Sequence, residues 1–298
     1  RTLQNRLGRY NPDFSGIVYY GNQGQSDHLG FEAALHRRWS RGMQFQVNYT
    51  FSRSRDVQSD PLVAPRTGAS SVTNPLTRRL ANSVFETIPT FTRQFDPRSD
   101  FGESDYDQRH NLILNAVALL PRLRGLGLPL GSWQVSGIVG IRSGLPFDVV
   151  SFPESLFGQS QRPDLVGTDR KAALLPKRAE VPGGVQLLDP AMFRPPDDGF
   201  AGRLPRNALR GPGFWNVDVS LSRSFFLPRL SERVWAQFRV EFFNLFNHTN
   251  LNNPNSVLES DSFGTALYGR QGASSALPSV SPLNEQPRRV QFALKVHF

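Results

Sequence analysis

One stretch of the chain concentrates side chains that could bind a metal ion. Within "DPRSDFGESDYDQRH" stand five carboxylates and one imidazole, at Asp96, Asp100, Glu103, Asp105, Asp107 and His110. Carboxylate oxygens grouped in one loop are ligands that calcium prefers in proteins. The interpretation that we favour is a solvated acidic loop whose carboxylates pair with Arg98 and Arg109 of the same stretch. A calcium site is the alternative.

The sequence carries no signature of catalysis. It has no HExxH zinc helix, no phosphate-binding P-loop and no G-x-S-x-G nucleophile turn. The histidines are far apart, at His28, His36, His110, His248 and His297, so no metal-ligand spacing emerges. The absence of cysteine excludes disulfides and thiolate chemistry. We therefore predict that the protein is not an enzyme and uses no cofactor or metal.

The net charge of +9 comes almost wholly from arginine, since the only lysines are Lys171, Lys177 and Lys295. A strongly basic protein raises the question of nucleic acid, but these arginines are scattered and form no block or recognition helix. We predict no nucleic-acid partner. We instead expect the arginines to flank membrane strands, where they pair with anionic headgroups.

The mean hydropathy is −0.38, and no run approaches the roughly 18 apolar residues that a membrane-spanning helix needs. A transmembrane β-barrel escapes this test, because only alternate residues of its strands face lipid.

Apolar residues alternate with polar ones along most of the chain, which is typical of strands with one apolar side. In "MQFQVNYTF" the apolar positions are Met43, Phe45, Val47, Tyr49 and Phe51. The same pattern predicts six further strands, at residues 29–39, 109–121, 132–144, 214–227, 233–243 and 289–298. A weaker pattern at residues 14–20 would be an eighth strand.

The connections between these strands alternate between short and long. Short turns fall at residues 41–42, 122–131 and 229–233, and long structureless loops at 55–108, 145–213 and 249–288. Compact soluble domains rarely carry such loops, whereas membrane barrels combine short periplasmic turns with long extracellular loops. This predicts an antiparallel up-and-down transmembrane β-barrel whose C-terminus is periplasmic. A soluble β-sandwich remains the alternative.

Aromatic residues at the strand ends fit the interfacial girdles of such a barrel. They are Trp39, Tyr49, Phe51, Trp133, Trp215, Phe225 and Phe226. In a sandwich the same residues would belong to the core.

Five stretches together resemble a known family: "GFEAALHRRWSRGMQFQVNYTFSRSRD", "FGESDYDQRHNLILNAVALLP", "NALRGPGFWNVDVSLSRSF", "FRVEFFNLFNHTNLNNPN" and "RRVQFALKVHF". They resemble the C-terminal β-barrel of TonB-dependent outer-membrane receptors, in the Oar-like branch with a carboxypeptidase-regulatory-like N-terminal domain. The resemblance implies a barrel of roughly 22 strands with a plugged lumen. We therefore interpret residues 1–298 as the C-terminal part of the barrel domain, with the plug and the N-terminal strands outside this chain. A self-contained eight-stranded barrel is the alternative.

The last strand also resembles the signal by which the barrel-assembly machinery recognises outer-membrane proteins. Gln291, Ala293, Val296 and Phe298 match that pattern, except that alanine replaces the usual glycine.

The resemblance implies a receptor in the outer membrane of a Gram-negative bacterium, driven by TonB, for uptake or binding of a bulky nutrient. Its partners would be outer-membrane lipid and lipopolysaccharide, the plug, TonB, the barrel-assembly machinery and the nutrient. Gln237, Arg239 and Glu241 would face the lumen and contact plug or substrate, although an ion pair that merely fills the lumen is the reading we favour. The alternatives are a small barrel acting as an anchor or adhesin, and a soluble basic β-protein that binds polyanions.

Overall fold

A computed structural model describes residues 24–57, 59, 97–120, 133–151, 162–167, 169–197, 202–227, 234–269 and 287–298. The only helical elements within these ranges are 3₁₀ turns at Pro97–Asp100, Arg170–Ala173 and Pro190–Met192. None of the helices described is long and apolar enough to cross a membrane.

The described strands are numbered in chain order. They are β1 (Ser26–Ser40), β2 (Met43–Asp56), β3 (Gly102–Glu103), β4 (His110–Leu119), β5 (Trp133–Arg142), β6 (Pro146–Phe147), β7 (Asp164–Leu165), β8 (Leu174–Val181), β9 (Gly184–Leu188), β10 (Phe193–Arg194), β11 (Leu209–Arg210), β12 (Phe214–Phe226), β13 (Trp235–Phe243), β14 (Thr265–Leu267) and β15 (Arg289–His297).

Seven long strands form the main sheet in the order β1-β2-β4-β5-β12-β13-β15, and the short strand β3 pairs with β2. Every neighbouring pair is antiparallel. The predicted all-β, up-and-down architecture is therefore confirmed, with the seven clear strands in their predicted places. The weaker strand predicted at residues 14–20 lies outside the described residues. The described sheet is open, with β1 and β15 at its two edges.

The register places most of the apolar residues of the seven strands on one side of the sheet. One row of directly opposed residues runs Leu35, Val47, Leu114, Val139 and Val217 from β1 to β12. This side is exposed rather than packed: Leu29 is 76% exposed, and Phe292 is 68% exposed. A β-sandwich would cover such a side with a second layer, and the part of the chain that the structure describes supplies none.

The exposed apolar band runs obliquely across the sheet. In β1 the band begins at Leu29, and in β15 it begins at Val290. Followed from strand to strand through directly opposed residues, Val290 is level with Arg37 of β1. Arg37 is eight residues beyond Leu29, so the band shifts by eight residues across the sheet. Eight residues of about 3.3 Å each, over six strand spacings of about 4.8 Å, give a slope of roughly 40°. Strands in transmembrane barrels tilt by about 35–45°, so an upright barrel would bring this band level with the membrane.

The connection between β1 and β2 is a tight turn. Arg41 and Gly42 both have positive φ angles, of 53° and 76°, as a type I′ hairpin turn requires. The other two predicted short turns lie outside the described residues. We call this end of the sheet the short-turn end and the opposite end the long-loop end.

The long loops are partly folded, which corrects the expectation that they lack structure. Residues 144–151, 162–167, 169–197, 202–213 and 249–269 form one unit, here called the loop module. It contains the sheet β8-β9-β14 and the pairs β7-β10 and β6-β11. Its apolar core is formed by Phe147, Val149, Ala173, Leu188, Phe193, Leu204, Leu209 and Phe263. A smaller cluster holds Val185, Leu251 and Ala266.

Candidate functional site

The polar side of the main sheet forms an open hollow of about 470 Å³. The polar residues that line it are His36, Gln44, Gln46, Asn115, Ser136, Asp218, Ser220 and Glu241. Amides and hydroxyls both donate and accept hydrogen bonds, and Asp218 and Glu241 add carboxylates, so this wall can be hydrated. Ile138 also faces this side, where it is 55% exposed, so the polar side is not uniformly polar.

Arg239 lies beside this hollow and is held by its own strand. Its Nη1 donates to Glu241 Oε1 at 3.4 Å, and its Nη2 donates to Gln237 Oε1 at 3.2 Å. The Arg239 side chain nevertheless stays 43% exposed. The structure thus places the three residues predicted to face the lumen together on the polar side. Their role as a contact for plug or substrate stays a prediction.

The C-terminal strand brings a second set of predicted residues next to the first. Gln291 lies directly opposite Glu241, and Ala293 lies directly opposite Arg239. The other two members of the predicted assembly signal belong to the apolar side, since Val296 pairs with Ala236 and Phe298 is fully exposed just beyond the strand. Recognition by the assembly machinery stays a prediction. Sequence reasoning treated the two sets separately and did not anticipate that they are neighbours.

The acidic stretch at the long-loop end does not form a metal site within the described residues. No group of three or more histidine or carboxylate side chains there is arranged to hold a metal ion, and Asp96 lies outside the described ranges. Arg109 binds Glu103 at 2.7 Å, as predicted, whereas Arg98 is exposed. The prediction that the stretch is solvated is wrong for Asp100 and Asp107, which are buried.

Arginines from the loop module reach the carboxylates of the acidic stretch and of the end of β2. Arg206 donates from Nη1 to Asp56 Oδ1 at 2.5 Å, and from Nη2 to Asp105 Oδ1 at 2.9 Å. The same guanidinium binds the Asp56 carbonyl oxygen at 2.9 Å and the Ser59 hydroxyl oxygen at 2.6 Å. Arg206 is itself buried. Four acceptors thus surround the two terminal nitrogens of this buried guanidinium.

Arg210 makes a second connection of the same kind. Its Nη2 donates to Glu103 Oε2 and to Asp107 Oδ2, both at 2.5 Å. Its Nη1 donates to the carbonyl oxygens of Asp107 and Gly144, both at 2.8 Å. Glu103 thereby binds Arg109 and Arg210 at once, and Arg53 approaches it at 3.3 Å.

A third arginine of the loop module, Arg162, pairs with the buried Asp100 and donates from Nε to the Leu204 carbonyl oxygen at 2.9 Å. Asn207 adds uncharged contacts, from Nδ2 to the Glu103 carbonyl oxygen at 2.6 Å and to Asp105 Oδ1 at 2.5 Å. Asn207 adopts a positive φ of 51°, a conformation that asparagine tolerates better than most residues.

The loop module and the acidic stretch also approach each other closely along the backbone. A Cβ atom added to Gly102 would lie 2.6 Å from the carbonyl oxygen of Arg206. Any side chain at position 102 would therefore push the two segments apart, so glycine is required there by space.

The electrostatic surroundings favour the ionised forms of Asp107 and Arg206. Burial alone would raise the pKa of Asp107, but the hydrogen bond from the Ser54 N–H and the ion pair with Arg210 outweigh it, so the pKa lies below its ordinary value. Burial would lower the pKa of Arg206, but the charges of Asp105 and of other nearby carboxylates raise it above its ordinary value.

Asp148, inside the loop module, behaves in the opposite way. Burial raises its pKa, and the Asn207 N–H and the charge of Arg162 offset only part of that effect. Asp148 Oδ1 accepts from Asn207 N at 2.6 Å, whereas the nearest guanidinium nitrogen of Arg162 is 4.0 Å from Oδ2. The Asp148 carboxylate is therefore less well compensated than that of Asp107.

Aromatic residues mark the long-loop end of the apolar side. The Tyr49 hydroxyl lies 2.8 Å from His110 Nδ1, and the Phe51 ring centroid lies 5.2 Å from that of His110. Trp215 stacks on His248 at a centroid distance of 4.1 Å.

The short-turn end carries a matching group. Arg223 lies over the rings of Trp133 and Phe225, at 5.7 and 5.0 Å from the ring centroids. Aromatic and arginine side chains are suited to the boundary between hydrocarbon and headgroups.

Sequence reasoning missed the arginines of the network. Their partners are up to 150 residues away in the chain, so no local pattern links them. The stretch that could have pointed to them is "GRLPRNALRGPG", in which arginines stand among glycine, proline and apolar residues with no carboxylate within the stretch.

A family model described as "Outer membrane beta barrel domain" matches residues 1–291 of the chain. No curated protein and no solved structure matches the chain.

Proposed function

The chain belongs to the family of outer membrane β-barrel domains, and on that basis we propose that it forms part of the wall of a TonB-dependent receptor that takes up or binds a bulky nutrient. Membership of this family explains why the apolar band is exposed, because hydrocarbon covers such a band in the outer membrane. The soluble β-sandwich and the soluble polyanion-binding protein are therefore set aside.

The direction of the two edge strands limits how the barrel can close, for a receptor barrel and for a small barrel alike. Because seven strands alternate in direction, β1 and β15 both run from the long-loop end to the short-turn end. An antiparallel barrel cannot close by pairing two strands that run the same way. Closure therefore needs an odd number of further strands. The roughly 22-stranded barrel that the resemblance implies needs about fifteen of them.

The observation that carries the receptor proposal is the inner wall. In an eight-stranded barrel the inward side chains fill the interior. Here Glu241 and other polar side chains line an open hollow. A wide, polar lumen has room for a plug and for a solute that passes it.

In this proposal each part of the structure has a function. The main sheet is the rigid wall, and the loop module sits on the extracellular side, where it meets the nutrient first. The short-turn end, and with it the C-terminus, lies in the periplasm. Arg239, poised by Gln237 and Glu241, offers a charged contact to the plug or to the solute.

The test is whether the complete receptor works through TonB. Outer-membrane vesicles that contain the full-length protein should bind the purified periplasmic domain of TonB saturably, and vesicles from a deletion strain should not. Equal binding to both kinds of vesicle would contradict the TonB role.

The second candidate is a self-contained barrel that acts as an anchor or adhesin. The loop module, with its own apolar core, is the observation in its favour. Electron microscopy of the purified protein decides between the two, because a barrel closed by a single further strand is far narrower than a receptor barrel.

A further inference from the structure

We propose that Arg162, Arg206 and Arg210 form a latch that fastens the loop module to the rim of the barrel, so that the module is a hinged lid. The rim segment comprises residues 53–57, 59 and 97–109. This inference needs a membrane barrel, but it does not depend on TonB or on any particular nutrient.

The latch charges are divided between the two sides of this contact. Arg162, Arg206 and Arg210 belong to the loop module, and the carboxylates that they bind most closely belong to the rim segment: Asp56, Asp100, Glu103, Asp105 and Asp107. Arg53 and Arg109 of the rim segment also pair with Glu103, and Arg162 lies 4.0 Å from Asp148 within the module. Both sides are buried in the pairs Arg206–Asp56 and Arg162–Asp100. Such a division makes the contact specific for these two surfaces.

The apolar contacts are divided differently. Every residue of both apolar clusters belongs to the loop module, and none comes from the rim segment. The module is therefore held together by hydrophobic burial but is held to the rim by ion pairs and hydrogen bonds. Ion pairs can exchange for water when the surfaces separate, whereas an apolar core cannot do so without a large cost. The module can consequently leave the rim and keep its own fold.

The hinge lies where the module joins the main sheet, next to Arg210 of the latch, whose Nη1 donates to the Gly144 carbonyl oxygen at 2.8 Å. The module leaves the main sheet through the ends of β5 and β12, where Gly211 N donates to the Leu145 carbonyl oxygen at 2.9 Å. Asn250 fastens the second loop to β12, because its Oδ1 accepts from Trp215 N at 2.9 Å. The rim segment instead belongs to β2 and to the chain that leads into β4. A lid hinged on β5 and β12 thus closes onto β2 and β4.

The latch arginines hold different carboxylates: Arg162 holds Asp100, Arg206 holds Asp56 and Asp105, and Arg210 holds Glu103 and Asp107. Removing Arg206 leaves the buried Asp56 without its countercharge, which is costly while the surfaces stay together. Separation returns that carboxylate to water and removes the cost. Loss of Arg206 and Arg210 should therefore shift the lid towards its open position rather than leave a closed lid with a defect.

Hydrogen exchange of the complete protein in lipid nanodiscs tests this inference. In the variant Arg206→Met with Arg210→Met, amides of residues 97–107 and 202–210 should exchange at least about tenfold faster. Amides of β9 in the module core and of β13 in the wall should keep their rates. Arg194→Met is the matched control, because Arg194 pairs with Asp164 within the module and is exposed. This control should change none of these rates.

Two results would overturn the latch. One is unchanged exchange at the rim segment in the double variant. The other is equal loosening of β9 or β13, because the network would then support the whole fold instead of one contact. If the double variant does not assemble, Asp105→Asn gives the milder test, since Asp105 is partly exposed and Arg206 keeps Asp56. It should accelerate exchange in the same two segments alone.

A distance measurement gives an independent answer. The chain contains no cysteine, so Arg98→Cys and Arg203→Cys, both at exposed positions, can be spin-labelled without background. The parent should give one narrow distance between the labels, and Arg210→Met should add a longer population. A single narrow distance in both proteins would contradict a lid.

Discussion

Arg239 in β13 lies directly opposite Ala293 in β15. The guanidinium is held by Gln237 and Glu241 of its own strand, and the side chain across from it is a single methyl group. The sequence drew attention to the two residues for unrelated reasons, one as a lumenal contact and the other as the alanine in an assembly signal that usually has glycine. Their pairing lets one position test both interpretations.

Substitution of Ala293 should distinguish its role in the assembly signal from the effect of its side-chain size beside Arg239. Ala293→Gly restores the usual glycine and leaves Arg239 uncovered, so the amount of assembled protein should be unchanged or higher. Ala293→Leu places a branched side chain against the guanidinium, where overpacking is destabilising. Assembly should fall severalfold, measured as the fraction that shows a heat-dependent gel shift. Equal assembly of the two variants would show that neither interpretation of Ala293 holds.

The terminal residue should matter more than its polar neighbours. Phe298 is fully exposed and continues the apolar side, so Phe298→Ser should lower assembly severalfold if the assembly machinery recognises this end. Lys295→Gln, on the polar side opposite Gln237, is the control and should assemble like the parent. The measurement is pulse-labelled protein recovered in outer membranes. A normal rate for Phe298→Ser would remove Phe298 from the proposed signal.

The turn between β1 and β2 should respond to its backbone conformation. Arg41 holds a left-handed conformation, with a φ of 53°, that asparagine tolerates better. Arg41→Asn should therefore stabilise the protein by about 0.5 kcal/mol, and Gly42→Ala should destabilise it by about 1 kcal/mol. Urea unfolding in phospholipid vesicles measures both. Arg38→Asn, in the adjoining strand, is the control and should not stabilise.

The strands could be predicted from the sequence because their pattern is local. Alternation from Met43 to Phe51 is visible within nine residues, and the register then follows from matching apolar sides. The loop module could not be predicted, because its core joins Phe147 to Phe263 without any periodic pattern. The acidic stretch was recognised, but Arg206 and Arg210, its main partners, lie about a hundred residues away. Long-range ion pairs leave no trace in local spacing.

Acidification should release the loop module only at strongly acidic pH. The pKa of Asp107 is lowered in the folded protein, so its contribution to stability is present above its ordinary, unfolded-state pKa. That contribution is lost as the pH falls through the lowered pKa. Protease cleavage of the loop module should therefore accelerate below about pH 4. Asp107→Asn should weaken this acid-dependent acceleration without removing it, since Glu103 and Asp105 also bind arginines of the loop module. A parent whose cleavage does not accelerate at acidic pH would contradict the assignment.

Titration of Asp148 should change the stability of the loop module with pH in the opposite direction. Its pKa is raised in the folded protein, so its contribution is present below the unfolded-state pKa and is lost as the pH rises through the raised pKa. Asp148→Asn keeps an acceptor for the Asn207 N–H and removes the charge. This variant should resist cleavage better than the parent at neutral pH and equally well at acidic pH. Equal resistance at both would place the Asp148 pKa at its ordinary value.

Two adjacent residues of β5 provide the sharpest test of which side faces lipid. Val139 lies in the middle of the apolar row, opposite Leu114 and Val217, whereas Ile138 faces the polar side. Hydropathy does not distinguish these two positions, but the register does. Val139→Arg should cost about 2–4 kcal/mol, the range for arginine on the lipid side near the membrane centre.

Ile138→Arg should cost much less, because a guanidinium in a wet lumen keeps its hydration. Unfolding in phospholipid vesicles gives both free energies, and the two variants share a strand, a charge and a side-chain volume. Their difference therefore reports only which side of the wall is wet. If Ile138→Arg proved as costly as Val139→Arg, the polar side would have to be dry. The wide, water-filled lumen on which the receptor proposal rests would then be excluded.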